Sequence, residues 1–207
     1  MTMPNFIIIG ATKSGTTSLW HYLNQHPQIY MSPKKEPHFF AFKQGIPDYQ
    51  GPKDKERIQH SAVTGIDDYK SLFSRGANLP ARGEASAMYI YLKDVPYQIH
   101  NQLPNVKLIA ILRNPVDRAY SAYLHNLRDG FETLPFETAF EKDFRGERDE
   151  WAPLWHYWKM GLYSSQLKRF YDTFHRDQIR VFLYDDLCEK PLEVLADISR
   201  FLGVDET

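Results

Sequence analysis

The 207-residue chain is long enough to bury the core of one α/β domain and short for two. Hydrophobic residues at 43% and charged residues at 25% exclude disorder by composition. A formal net charge of −1 supplies no overall field for nucleic acid, so no nucleic-acid partner is expected and any anion must be held by a local site.

The N-terminus runs Met1-Thr-Met-Pro-Asn5 into the apolar run Phe6–Ile9. That run is too short for a signal peptide or for a membrane span of about 20 residues, so the expectation is a cytoplasmic chain with no span. A single cysteine, Cys188, excludes an internal disulfide and a cysteine-based metal site, and suits a reducing compartment. The eight histidines are scattered with no H-x-x-x-H spacing, so no metal is expected.

Phe6 to Ile9, β-branched and bounded by Gly10, reads as a buried strand. Thr17 to Gln25 reads as a helix, with Leu19, Tyr22 and Leu23 on one side and Pro27 as its stop. Gln28 to Met31 fits a short strand. Residues 32–65, rich in Pro, Gly and Lys, read as a long, partly irregular excursion of the kind that usually carries function. Asp67 is placed to cap a helix through Phe73, and Ala81 to Ala85 is a weak strand. Val106 to Leu112 is apolar almost throughout, as a strand covered on both faces should be. Pro115 to Arg128 is a helix opened by proline, with Val116, Ala119, Tyr120, Tyr123, Leu124 and Leu127 as its expected apolar stripe. A helix over Tyr163 to Phe174, a strand over Ile179 to Tyr184 and a helix over Leu192 to Leu202, ended by Gly203, complete the pattern. Strands alternating with helices predict one α/β domain over residues 1–207: a P-loop-like parallel sheet with helices on both faces.

The segment Gly10-Ala-Thr-Lys13-Ser14-Gly15-Thr16-Thr17-Ser18 carries the most chemistry. It leaves a predicted strand and opens a predicted helix. There, small residues let backbone N–H groups wrap an anion, and the helix N-terminus adds the positive end of its dipole. Lys13 adds a full charge, and Thr16, Thr17 and Ser18 add hydroxyl donors. Gly10 and Gly15 match the glycines of G-x-x-x-x-G-K-[ST], but Thr16 stands where that pattern has its lysine. A kinase needs that lysine near its β- and γ-phosphates and a hydroxyl on Mg²⁺. Here the lysine lies three residues earlier, inside the loop.

Lys13-Ser-Gly-Thr-Thr-Ser-Leu19 resembles the 5′-phosphosulfate loop of the sulfotransferase family, and Leu112-Arg113-Asn-Pro-Val-Asp-Arg-Ala-Tyr-Ser121 resembles its 3′-phosphate element. Gly161-Leu-Tyr163 is similar to the family's G-x-Y segment, and Phe201-Leu-Gly-Val204 to its F-L-G helix end. Lys34-Lys-Glu36-Pro-His38-Phe-Phe40 resembles the heparan-type and bacterial branch. The resemblance implies a 3′-phosphoadenylyl sulfate (PAPS)-dependent sulfotransferase that moves a sulfonate to an acceptor hydroxyl or amine and releases the bisphosphate PAP. It implies donor binding by Lys13, Ser14, Gly15, Thr16, Thr17, Ser18, Arg113, Ser121 and Tyr163. It assigns Lys13 to the leaving oxygen and Glu36 to the general base, with His38 as second candidate for base or as partner of the acceptor.

Three further readings follow. Glu84, in Gly83-Glu-Ala-Ser86, is expected on the acceptor side. Trp151, Trp155 and Trp158 are placed for packing rather than for stacking on a sugar, and Asp185-Asp186 for a structural turn. The family also implies a basic, glycine-containing segment after the last helix. With Thr207 the last residue, the domain is expected to lack it. The alternatives are a P-loop small-metabolite kinase, favoured by Gly10, Gly15 and Asp185, and a non-catalytic nucleotide-binding domain. The acceptor class stays open among carbohydrate, lipid, small alcohol and carrier-bound acyl chain.

Overall fold

The computed structural model describes residues 2–206. In chain order the elements are β1 (Phe6–Gly10), α1 (Thr16–Leu23), β2 (Ile29–Met31), α2 (Phe39–Phe42), α3 (Asp54–Ser61), α4 (Ile66–Ser71), β3 (Ala81–Ala85), α5 (Val95–His100), β4 (Lys107–Leu112), α6 (Pro115–Arg128), α7 (Phe136–Phe144), α8 (Tyr163–Tyr171), β5 (Ile179–Leu183), α9 (Tyr184–Glu189) and α10 (Pro191–Leu202). The five strands form one parallel sheet in the order β2-β3-β1-β4-β5. The predicted α/β architecture holds, and its strand order reverses direction at β1. A crevice therefore opens beyond the carboxyl ends of β1 and β4, where ligands bind in sheets of this kind.

The period of two decides what covers each face. Ile7, Ile9, Leu108 and Ala110 point to one side, against Phe39, Phe40, Tyr69, Phe73, Tyr89, Ile99, Phe170 and Phe174. Phe6, Ile8, Ile109 and Ile111 point to the other, against Leu19 and Leu23 of α1 and Val194, Ile198 and Phe201 of α10. Since β1 is buried along its whole length, its run is apolar without alternation, as expected of a central parallel strand.

A third apolar cluster lies outside these two layers and joins Phe42, Ile58, Ala119, Ala122, Ala139, Trp155 and Tyr157. Its centre is polar. Arg148 and Glu132 form a buried ion pair at 2.6 Å, Tyr157 donates its hydroxyl to the same carboxylate at 3.1 Å, and Arg148 lies over the rings of Trp151 and Trp155. Trp155 is fully buried and donates Nε1–H to Asp54 at 2.8 Å, and Trp151 packs edge-on against it. These two tryptophans are packing residues, as expected. Trp158 is 39% exposed and meets Phe140 and Phe144 edge-on.

Three expectations are corrected. The excursion over 32–65 contains α2 and α3, and Phe39, Phe40 and Phe42 are core residues, so only its middle is irregular. On α6 the buried face is Arg118, Ala119, Ala122, Tyr123 and Asn126, while Val116, Tyr120, Leu124 and Leu127 are exposed. The reason is the polar third cluster: Arg118 donates to the Tyr157 carbonyl at 2.5 Å and Asn126 donates to the Tyr157 hydroxyl at 3.1 Å. Polar residues are therefore drawn inward, and of the expected stripe only Ala119 and Tyr123 are buried. The helix after Gly65 begins at Ile66 with no side-chain cap, so Asp67 lies in its first turn and caps nothing. Helices α5, α7 and α9 carry mixed composition, and no helix is expected there from the sequence.

Gly83 sits opposite Phe6, and a Cβ added there would lie 2.2 Å from the Phe6 ring. Phe6 is fully buried and cannot swing away. Gly83→Ala is expected to cost about 1–3 kcal/mol through overpacking, read as a lower urea midpoint at unchanged slope.

Candidate active site

The loop from Gly10 to Gly15 leaves the end of β1, and the first turn of α1 supplies N–H groups that have no partner within the helix. Gly15 takes φ 86°, and a Cβ there would meet the Tyr184 ring at 2.9 Å, so the position excludes other residues on both counts. Lys13 also takes a positive φ, 67°. Arg113 leaves the end of β4, which pairs with β1, and reaches across to donate to the Lys13 carbonyl at 3.3 Å. Its guanidinium lies 4.7 Å over the ring of Tyr184. Asp117 is no partner of Arg113: it sits exposed in the first turn of α6, whose cap is the Asn114 side chain accepting from the Val116 N–H.

A cavity of 480 Å³ opens here, lined on one side by Lys13, Gly15, Thr16, Thr17, Ser18, Arg113, Ser121 and Tyr184. Its other side is formed by Lys35, Glu36, His38, Ala87, Met88, Pro153 and Leu154, and His125 lines the cavity next to Lys13. Of the donor-binding and catalytic residues that the family resemblance implies, all but Ser14 and Tyr163 thus meet at one space. Ser14 lies between two left-handed residues and turns its side chain into the interior, where Oγ has no hydrogen-bond partner. The Tyr163 hydroxyl lies beside it, buried and without a bond of good geometry, and burial pushes that phenol above its usual pKa. Neither side chain lines the cavity.

The opposite wall is sewn to the end of β3. Glu36 N–H donates to the Ala85 carbonyl at 2.8 Å, and the Ala87 N–H donates back to Glu36 Oε2 at 2.8 Å. Lys35 Nζ lies 2.5 Å from Glu36 Oε1. His38 is buried, with Nε2 3.6 Å from Glu36 Oε2, and burial lowers its pKa to about 4 despite that carboxylate. Glu84 is corrected: it lies fully buried beneath this wall rather than on the acceptor side. It accepts from Ser86 at 2.7 Å and from Tyr69 at 3.2 Å, and Ser86 Oγ in turn accepts from the His38 N–H at 3.0 Å. The buried carboxyl fixes the backbone of the Glu36–His38 segment, and burial raises its pKa to about 7.

Sequence reasoning missed His125, one turn beyond Ser121 on α6. Its Nδ1 lies 3.4 Å from Lys13 Nζ, and Arg128 Nη2 donates to the same nitrogen at 3.1 Å. Burial and then Lys13 lower its pKa to about 4, so it is neutral near pH 7. Burial first, then the nearby Arg128, lowers the pKa of Lys13, with Lys35 and Arg113 adding to the shift. The i, i+4 spacing of Ser121 and His125 was the available signal, and it has no force until Ser121 is known to face a ligand. Tyr184 was hidden likewise. Asp185 and Asp186 follow it in the first turn of α9, outside the cavity lining.

Residues 3–207 match the model of the sulfotransferase domain. The chain is 29% identical over 214 residues to the mouse bifunctional heparan sulfate N-deacetylase/N-sulfotransferase 1, covering 99% of this chain and 22% of that protein. It thus spans about a fifth of the length of that curated relative. Among solved structures, a sulfotransferase from Alicyclobacillus acidocaldarius superposes with a TM-score of 0.93 at 41% identity, over 100% of this chain and 83% of that one. A mouse sulfotransferase complexed with PAP shares the fold at 17% identity, with a TM-score of 0.60 over 99% of this chain and 60% of that one.

Two groups at the site give opposite pH dependences. His38, depressed from 6.5, is neutral in the fold and protonated in the unfolded chain, so its contribution is present above about pH 6.5 and is lost as pH falls toward 4. Glu84, raised from 4.5, binds its proton more tightly in the fold, so its contribution is present below about pH 4.5 and is lost as pH rises through 7. The stability of His38→Gln relative to the parent should therefore improve by up to roughly 3 kcal/mol between pH 6.5 and 4. That of Glu84→Gln should improve between pH 4.5 and 7. Urea titrations at each pH measure both, and parallel pH profiles for parent and variants would contradict the assignment.

Proposed function

The chain belongs to the sulfotransferase domain family, and on that premise we propose that it transfers a sulfonate from PAPS to an acceptor, with Lys13, Arg113 and Glu36 as the residues on which the reaction turns. The observation that carries this reading is convergence. Two anion-holding elements from neighbouring strand ends, the Lys13 loop and Arg113, share one cavity with a carboxylate on its far wall.

The residues fit such a donor. The N–H groups at the start of α1, with Thr16, Thr17 and Ser18, suit its 5′-phosphate, and Arg113 with Ser121 suits its 3′-phosphate. Tyr184, stacked on Arg113, holds that guanidinium flat. In the transfer, the acceptor oxygen forms a bond to sulfur as the bond from sulfur to the bridging phosphate oxygen breaks. The acceptor proton passes to Glu36, and the electron pair departs on the bisphosphate, where Lys13 offsets its charge.

Glu36 is favoured over His38 as the proton acceptor. The His38 side chain is almost wholly buried, whereas the Glu36 carboxylate is more open to the cavity and is oriented by Lys35 and by the Ala87 N–H. His38 then acts as an orienting neighbour, and His125 as the group that holds Lys13 Nζ. A metabolite kinase is not favoured, since the family transfers sulfonate and Asp185 lies outside the cavity lining. No helix among the described residues is long and apolar enough to cross a membrane.

Titration calorimetry should find tighter binding of adenosine 3′,5′-bisphosphate than of ADP, unchanged by EDTA. Arg113→Ala should weaken it on the order of 10- to 150-fold through loss of a charge-assisted hydrogen bond. Equal affinity for ADP and the bisphosphate would contradict the reading. Glu36→Gln should leave bisphosphate affinity nearly unchanged and lower turnover by roughly 10²–10⁴, whereas Lys13→Ala should reduce both. If Glu36→Gln keeps its turnover and His38→Ala loses it, the histidine is the base.

A further inference from the structure

The acceptor side of the cavity is built from few groups, and their charges nearly cancel. Glu36 is the one carboxylate among the lining residues, and it is matched by Lys35 at 2.5 Å. His38 and His125 are both neutral at pH 7, for burial holds each near a pKa of 4. The remaining cations of the lining, Lys13 and Arg113, belong to the donor side. No net positive charge is therefore left for an anionic acceptor. An alkyl amine fares worse: with a pKa near that of lysine, about 10.4, it arrives as an ammonium. It would face Lys13 and Lys35 across a carboxylate already paired.

The rest of this wall is Ala87, Met88, Pro153 and Leu154. Met88 and Leu154 pack against the third apolar cluster, so the wall is backed by core and cannot rearrange into a polar surface. Besides the two imidazoles, the one aromatic ring of the lining is Tyr184, which is engaged with Arg113 on the donor side. A pyranose would find neither a stacking platform nor a spare array of polar side chains.

We propose that the acceptor is an uncharged alcohol with an aliphatic body, its hydroxyl on Glu36 and its chain along Met88 and Leu154. This rests on the sulfonate-transfer reading above and narrows it. It also sets this chain apart from its mouse relative, named as an N-sulfotransferase, whose acceptor is a nitrogen.

The test uses labelled PAPS with ethanol, butanol, hexanol, hexylamine and an N-deacetylated heparan-type oligosaccharide, with bisphosphate binding measured alongside. Each methylene buried against the wall should raise kcat/KM roughly fourfold, so hexanol should exceed ethanol on the order of 100-fold. Hexylamine and the oligosaccharide should fall at least about tenfold below hexanol. Met88→Gln, close in shape, and Leu154→Asn should each flatten the alcohol series without changing bisphosphate affinity. Lys35→Gln should narrow the gap between alcohol and amine. A flat alcohol series in the parent, or an amine or oligosaccharide used as well as hexanol, overturns the proposal. If the bisphosphate itself fails to bind, the fault lies in the donor reading beneath it.

Discussion

Lys13, Glu36 and His38 share one backbone constraint: each is held with φ between 51° and 67°. Only one other described non-glycine residue, Lys53, has a positive φ. For residues with a Cβ such a conformation is costly, of order 1–3 kcal/mol each, and it persists only where the surroundings over-determine it. Here the surroundings are strand ends. Lys13 is fixed by the pairing of β1 with β4 and by the Arg113 contact to its carbonyl. The Glu36–His38 segment is fixed by Ala85, Ala87 and Ser86 at the end of β3. With β3 and β4 flanking β1, the two strained segments must face each other across the crevice. The geometry of the site is a consequence of strand order.

The same crowding governs the charges. Lys13 is half-buried, and Arg128, Lys35 and Arg113 all act to lower its pKa. Cations placed this close repel one another in the absence of an anion, so a bound phosphate relieves a cost that the fold already carries. On the far wall the arrangement is opposite: a carboxylate paired with Lys35, the uncharged His38 imidazole and an aliphatic surface. The cavity is thus divided into a cationic half and a nearly neutral half, with Lys13 and Glu36 at the boundary where charge would move.

Support for both halves comes from buried polar groups rather than from further apolar packing. Glu84, Ser86 and Tyr69 form a closed set of hydrogen bonds beneath His38, and the ion pair of Arg148 and Glu132 anchors the segment that carries Pro153 and Leu154. Breaking such buried sets is expensive because the group left behind has no partner, which makes them stiff supports for a site that must hold strained residues.

Much of this was legible in the sequence. The apolar runs of β1 and β4, the glycines at 10 and 15, and Arg113 at a strand end fix local conformation through steric and dipole effects that act over a few residues. They mark the α/β architecture and the anion loop, while Glu36, His38 and Ser121 were legible only through the resemblance to the sulfotransferase family. What tertiary structure alone decided depends on contacts between distant segments. The inward face of α6 carries Arg118 and Asn126 beside Ala119 and Tyr123 because Tyr157 lies against it and bonds both polar side chains, which hydropathy does not predict. Glu84 is a buried support and not an acceptor residue because β3 places it under the sheet end. His125, Met88 and Leu154 reach the cavity from three separate segments, and no spacing along the chain encodes that meeting. Local sequence determined which groups could hold an anion; the packing of the third cluster decided what else they would face.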